Sequence, residues 1–321
     1  MGDRLVAIGE ALIDFIPDKK GCEFDQVTGF APKLGGAPAN VCGAYAKLGG
    51  RARLLTQLGD DPFGHKIVKE LAEDHVDTSC ISLTEQANTA LAFVSLGKDG
   101  NRTFSFYRKP SADMLYTAEQ IREDYFEEAY VLHFCSVSLG DFPMRDAHRE
   151  AIRIAHEKGI LTSFDPNLRF QLWESREALK QTVWEFIPQS DILKLSDEEV
   201  EFLTDETDIR KALPKLFTGD VKLVVYTCGG GGAYAYTRNA WAFAEARKVN
   251  ALDTTGAGDG FIGSFLWKLH ELGGTREKLQ DLDQEILAEC LDFSNEFCGR
   301  SVTLYGAIAS YPDMKDYVKK A

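Results

Sequence analysis

The run Asp253-Thr-Thr-Gly-Ala-Gly-Asp-Gly260 places three glycines and an alanine among eight residues, directly before the apolar stretch Phe261-Ile-Gly-Ser-Phe-Leu. Small residues at a helix start let the N–H groups of Gly256, Ala257 and Gly258 point outward together. There, direct donors and the helix dipole favour an anion. A Cβ would hold a phosphate away from that backbone. Asp259 falls in the first turn. A carboxylate beside an anion site needs a purpose, such as taking the proton from an attacking hydroxyl while the amides hold the transferring group. A helix start with an acidic first turn is the plainer reading, and the run alone leaves both open. The same residues contain Gly258-x-Gly260-x-x-Gly263, formally GxGxxG, with Asp281 and Asp283 near the distance of a ribose-binding acid. A dinucleotide fingerprint belongs just after the first strand of a βαβ unit, so this match carries little weight.

Other chemistries lack their residues. The sequence has no GxxxxGK[ST], HExxH or GxSxG, and its six histidines show no metal-ligand spacing. With 321 residues, 44% hydrophobic, the chain can bury a sizeable core. Its 36 basic and 50 acidic residues give a net charge of −14, a surface that repels nucleic acid and anionic membrane. Anionic substrates would then need a local positive pocket built from backbone N–H groups, a few cations and a metal. Seven cysteines at 22, 42, 80, 135, 228, 290 and 298 show no CxxC pair, which argues for a reducing compartment. Leu5-Val-Ala-Ile8 is too short for a signal peptide or a membrane span. We expect a cytoplasmic protein.

The elements that must position these residues alternate short apolar runs with amphipathic stretches. Strands are expected over 4–8, 52–58, 130–134, 160–164, 192–195 and 223–227. Helices are expected over 37–48, 144–158, 261–272 and 286–298, and a turn at 61–64 leads into another helix through Leu71. Such alternation means βαβ units and a parallel sheet covered on both faces. Two regions break the rhythm. Residues 24–34 follow the first strand without a helix, and strands over 90–96 and 103–107 flank the turn Lys98-Asp-Gly-Asn101. These pieces suggest a small antiparallel layer beside the main sheet, either a lid or a plain edge extension. A second hairpin is expected through residues 229–232.

Two further motifs change the weight of the first. They are Gly35-Gly-Ala-Pro-Ala-Asn40, followed by Ala46-Lys-Leu-Gly49, and Gly59-Asp-Asp-Pro-Phe-Gly64. Together with the late Asp253-Thr-Thr-Gly-Ala-Gly-Asp259, in this order and over essentially the whole chain, they resemble the ribokinase-like (PfkB) carbohydrate kinase family. Within it, Phe106-Tyr-Arg-Lys-Pro-Ser-Ala-Asp-Met114, Asp165-Pro-Asn-Leu-Arg169 and Ile192-Leu-Lys-Leu-Ser-Asp-Glu-Glu199 look most like fructokinases and also resemble 2-keto-3-deoxygluconate kinases.

The resemblance implies one domain over 1–321: a three-layer αβα sandwich around a mostly parallel sheet, with a β lid from about 12–34 and 88–110. It implies MgATP as phosphoryl donor and a small sugar as acceptor, D-fructose at its 6-hydroxyl before 2-keto-3-deoxygluconate. A catalytically silent binding protein on the same fold is the reading from another class. Asp259 is implied as the base, with Gly256, Ala257 and Gly258 as the anion hole. Asp14, Gly35, Gly36, Asn40, Arg108 and Arg169 are implied to face the sugar. Lys194, Thr227, Gly229 and Asn295 are implied at the nucleotide. Glu199 is implied to place hydrated Mg²⁺, although Ser196 stands where the family has Asn. Ser196 and Glu199 also read as a capping box. Asp253, Thr255, Ser301, Leu304, Gly306 and Ser310 resemble a loop that holds K⁺. Family lids often pair, so a homodimer through the lid is a further implication.

Overall fold

The computed structural model describes residues 2–19, 21, 24–96 and 102–318. The turn expected at 98–101 and Cys22 lie outside them. In chain order the strands are β1 (Arg4–Ile8), β2 (Leu12–Pro17), β3 (Phe30–Gly35), β4 (Arg51–Gly59), β5 (Val76–Asp77), β6 (Ile81–Thr84), β7 (Leu91–Leu96) and β8 (Arg102–Tyr107). They continue with β9 (Ala129–Cys135), β10 (Leu161–Asp165), β11 (Ile192–Ser196), β12 (Leu223–Thr227), β13 (Ala233–Tyr236) and β14 (Trp241–Ala244). The helices are α1 (Ala37–Lys47), α2 (Pro62–Glu73), α3 (Met144–Glu157), α4 (Arg176–Phe186), α5 (Asp197–Thr204), α6 (Ile209–Leu216), α7 (Ala257–Glu271), α8 (Gln284–Ser301) and α9 (Lys315–Val318).

The large sheet runs β14-β13-β12-β11-β10-β9-β1-β4-β5, with β6 also on β4. Every joint from β12 to β5 is parallel, and only the β12–β13–β14 end is antiparallel. The alternation of side chains along β1 divides the core. Leu5 and Ala7 join the apolar layer under α1, α7 and α8, and Val6 and Ile8 join the layer under α3 to α6. Both faces are therefore covered, as a parallel sheet requires. The small sheet runs β3-β2-β7-β8. Its outer joints are antiparallel, while β2 and β7 run parallel.

Three elements begin earlier than their apolar runs suggest. Helix α7 starts at Ala257 rather than at 261, so Gly258 and Gly260 lie inside it. Glycine is a poor helix former, but burial of Phe261, Ile262 and Phe265 against α1 and α8 outweighs that weak preference. Helix α8 spans 284–301 because the Asp283 carboxylate caps the Ile286 N–H. The 61–64 segment already opens α2, with Asp61 accepting from Phe63 and Gly64 N–H and Pro62 in the first turn. The main parallel strands deliver their carboxyl ends to one edge, where Glu10, Val137, Asn167, Arg169 and Thr227 border the cavities at the start of α7. Open α/β sheets bind ligands at that edge.

Candidate active site

Asp259 is 8% exposed in the first turn of α7. Asn40, one turn into α1, donates Nδ2–H to Asp259 Oδ2 at 2.8 Å, and Asn167 Nδ2–H reaches Oδ1 at 3.2 Å. Burial raises its pKa from the ordinary 3.8 to about 6. The Asn40 hydrogen bond opposes that rise, the charge of Asp165 adds to it, and Arg169 and Lys194 also oppose it. Such a carboxyl is ionised near neutral pH yet basic enough to accept a proton.

The helix start that carries it is held from behind. Gly256 caps α7 in the left-handed region at φ 71°, and its carbonyl accepts from Tyr311 Oη–H at 2.7 Å. A Cβ on Gly256 would sit 2.6 Å from Ala307 Cβ and 2.7 Å from Tyr311 Oη, so only glycine fits. Lys194 lies buried beneath the glycines, its Nζ 2.9 Å from Asp165 Oδ2 and 3.2 Å from where a Cβ on Gly258 would project. Burial lowers the lysine's pKa, but Asp165 and Glu199 outweigh it and hold the pKa above the usual lysine range. A fixed positive charge therefore backs the expected anion hole.

Two cavities meet at this turn. The smaller, about 80 Å³, is lined by Glu10, Leu12, Asp14, Gly36, Asn40, Phe106, Val137, Asn167, Arg169, Thr255, Gly256 and Asp259 among others. Five of the expected sugar-facing residues gather here. Asp14, Gly36, Asn40 and Arg169 line the wall directly, and Gly35 backs Asp14 so closely that a Cβ there would overlap Asp14 Oδ2. Arg108 is placed otherwise. It is buried, paired through Nε and Nη2 with Asp113, and donates to Val137 O at 3.0 Å and Ser138 Oγ at 3.2 Å. Its guanidinium braces the pocket from outside, because a buried cation must take its nearest carboxylate. The larger cavity, about 310 Å³, is lined by Thr227, Gly229, Gly230, Val249, Ala257, Gly258, Phe261, Asn295, Cys298 and Val302 among others. Asn295 there donates to Ala244 O at 2.9 Å and Glu245 O at 3.2 Å.

The expected cation residues are differently engaged. Glu199 folds back on its cap: Oε2 accepts from Ser196 N–H at 2.8 Å and Oε1 from Leu168 N–H at 3.0 Å. Both oxygens thus hold backbone, and the capping-box reading is the one the geometry realises. Asp253 accepts from Thr255 N–H and Oγ1–H through Oδ1, and from Gly306 N–H at 3.0 Å through Oδ2. Ser301 and Ser310 hydroxyls meet at 2.7 Å, and Leu304 is exposed. Among the described residues no three His, Cys, Asp or Glu side chains cluster as metal ligands.

Glu10 and Asn167 are site residues that motif reading passed over. Glu10 directly follows the first parallel strand, a position that marks it in hindsight. Asn167 sits in a left-handed turn at φ 45°, which no periodicity signals.

The pfkB family carbohydrate kinase model matches residues 3–314. The chain belongs to this family. A probable fructokinase-5 of Arabidopsis thaliana is 40% identical over 316 residues, covering 98% of this chain and 96% of that protein. The crystal structure of a Xylella fastidiosa fructokinase with bound ATP superposes with a TM-score of 0.91 at 33% identity, covering 99% of this chain and 98% of that one. A double mutant of a Vibrio cholerae O395 fructokinase, in a form with fructose, ADP and potassium ion bound, gives 0.86 at 31% identity, covering 99% of this chain and 97% of that one. Membership of a carbohydrate kinase family sets aside the dinucleotide reading of the glycines at the start of α7.

Proposed function

We propose that this carbohydrate kinase transfers the γ-phosphoryl group of ATP to the 6-hydroxyl of D-fructose. The carrying observation is the shared wall: Asp259 and Gly256 line the small polar cavity, and Ala257 and Gly258 line the larger, more apolar one. A hydroxyl in the first and a phosphate in the second would meet across one helical turn. Asp259 takes the hydroxyl proton, the Gly256–Gly258 amides hold the developing charge, and Lys194 supports them from below. The fructokinases among its relatives favour fructose. The pocket's charges agree, since Asp14 and Asp259 share its wall with one cation, Arg169, and would repel the carboxylate of 2-keto-3-deoxygluconate.

Mg²⁺ on the nucleotide phosphates would neutralise charge. That ion would be carried by phosphates and water, with any contact from Glu199 made through water because both its oxygens hold backbone amides. K⁺ beneath the anion hole would be held by Asp253 with oxygens of Thr255, Ser301, Leu304, Gly306 and Ser310, a donor set with a single carboxylate; the hydrogen bonds of Asp253 to Thr255 and Gly306 support this by tying that loop together. The small sheet acts as a lid over the sugar, within one domain. Tyr107 on this sheet, 64% exposed, and Phe24, 48% exposed in the turn between β2 and β3 and packed on Phe30 and Phe93, suit pairing with the lid of a second copy.

The test is an ADP-release assay over fructose, ribose, glucose, 2-keto-3-deoxygluconate and nucleosides, beside calorimetry with fructose. Fructose should give the highest kcat/KM. Fructose binding without ADP release would leave a silent binding protein instead, and no response to fructose in either assay would end the proposal.

A further inference from the structure

We propose that Glu10 is a positioning residue that fixes the catalytic base by holding the start of α1. The inference rests on the kinase reading of Asp259 and goes beyond it. Glu10 is 2% exposed and lies just past the carboxyl end of β1. Its Oε1 accepts from the Ala37 N–H, the first amide of α1, at 3.1 Å. That amide is one of the four that a helix cannot satisfy internally. Next to it, Asn40 N–H closes the first turn on Gly36 O at 2.9 Å, and the Asn40 side chain then reaches Asp259. The same carboxylate accepts from Ser138 Oγ–H at 2.7 Å through Oε2. Ser138 Oγ in turn accepts from Arg108, at the root of the small sheet. Glu10 therefore ties α1, the segment after β9 and the sheet root to one point.

Glu10 supplies the side-chain acceptor for the Ala37 N–H. N1 amides ordinarily face water or a cap, and Gly36 offers no cap side chain. Without Glu10 the amide is buried and unpaired, so the first turn must shift or fray. Asn40 moves with that turn. The hydrogen bond it gives Asp259 weakens, and the base becomes harder to ionise. The charged groups around Asp259 are Asp165, Arg169 and Lys194, with Glu10 and Asp14 on the wall of the same cavity. Those facing Glu10 are Arg108, Asp113 and Cys135. Glu10→Met and Glu10→Gln both remove the charge of Glu10 and leave these other groups in place, so the difference between the two variants isolates the acceptor for Ala37.

The test compares Glu10→Met, close in volume but without a strong acceptor, with Glu10→Gln, which keeps a carbonyl for Ala37. Two readouts apply: sugar kinetics across pH, and ¹³C NMR titration of the Asp259 carboxyl, which needs no turnover. Glu10→Met should move the Asp259 titration and the acid limb of kcat/KM upward by about half to one pH unit, the worth of a lost hydrogen bond. It should also lower kcat/KM by up to about 10²-fold through misplacement. Glu10→Gln should recover most of both changes. If Met prevents folding, Glu10→Asp, which draws the carboxylate back by one methylene, should shift both readouts in the same direction. A Glu10→Met or Glu10→Asp protein with wild-type Asp259 titration overturns the proposal. Wild-type protein without sugar turnover would instead remove the function, and the NMR titration would still decide the role of Glu10.

Discussion

Asp259 is subject to two opposed demands. Burial raises its pKa from 3.8 to about 6, and the Asn40 hydrogen bond limits that rise. The proposed role as base requires it to be ionised, so kcat/KM should fall about tenfold per unit as pH drops below about 6. A profile flat to pH 5 would be inconsistent with Asp259 as the base. Asp259→Asn should lower kcat by roughly 10²- to 10⁴-fold, the range for loss of a general base. The same substitution should raise the melting temperature near pH 8. With its folded pKa raised, this carboxyl adds stability when protonated, below about pH 4. That contribution is lost as pH rises through about 6, leaving a cost at neutral pH of about 3 kcal/mol. An asparagine avoids the ionisation and, by turning its Oδ1 to Asn40, gives up only the longer contact from Asn167, so denaturation at pH 8 should show a more stable but inactive protein. Activity lost together with stability would point to a structural role.

At the scale of elements, the start of α7 works because a neighbouring segment braces it. Tyr311 donates to Gly256 O, and Asp253 ties Gly306 to the loop before the helix. Tyr311→Phe removes one hydrogen bond and almost no volume. It should destabilise the protein by about 0.5–1.5 kcal/mol and lower kcat more than it changes sugar KM, because the anion hole loosens. Steady-state kinetics beside urea unfolding separates the two effects. Replacing K⁺ with tetramethylammonium should likewise lower kcat, and unchanged activity would remove the proposed cation from that loop. On the sugar side, Gly35→Ala should raise the KM for sugar with a smaller change in kcat, since a Cβ there overlaps Asp14 rather than Asp259.

For the whole molecule, the placement of the small sheet matters most. Leu12, Ala92 and Phe106 pack together on it, and Leu12 and Phe106 also line the small cavity. The proposed lid should exclude water when sugar binds, so ATP hydrolysis without sugar should be far slower than transfer. Rapid sugar-independent hydrolysis would contradict it. Phe24→Asp with Tyr107→Asp should shift a dimer to monomer in sedimentation velocity, and an unaltered sedimentation coefficient would place any pairing elsewhere.

The layered fold was legible because periodicity reports local burial: the expected runs at 4–8 and 223–227 coincide with β1 and β12 to the residue. The glycine run likewise pointed to the proposed anion site with a carboxylate beside it, since backbone access and charge are properties of residue type. What tertiary structure alone decided is which polar groups find partners. Arg108, expected at the sugar, was claimed by Asp113, and Glu199 by two backbone amides, because a buried charge takes the partner that folding brings nearest. Asn167 and Glu10 entered the site for the converse reason. Their roles depend on approaches between segments that are distant in sequence, Asn167 to Asp259 and Glu10 to Ala37, and no local pattern encodes such approaches.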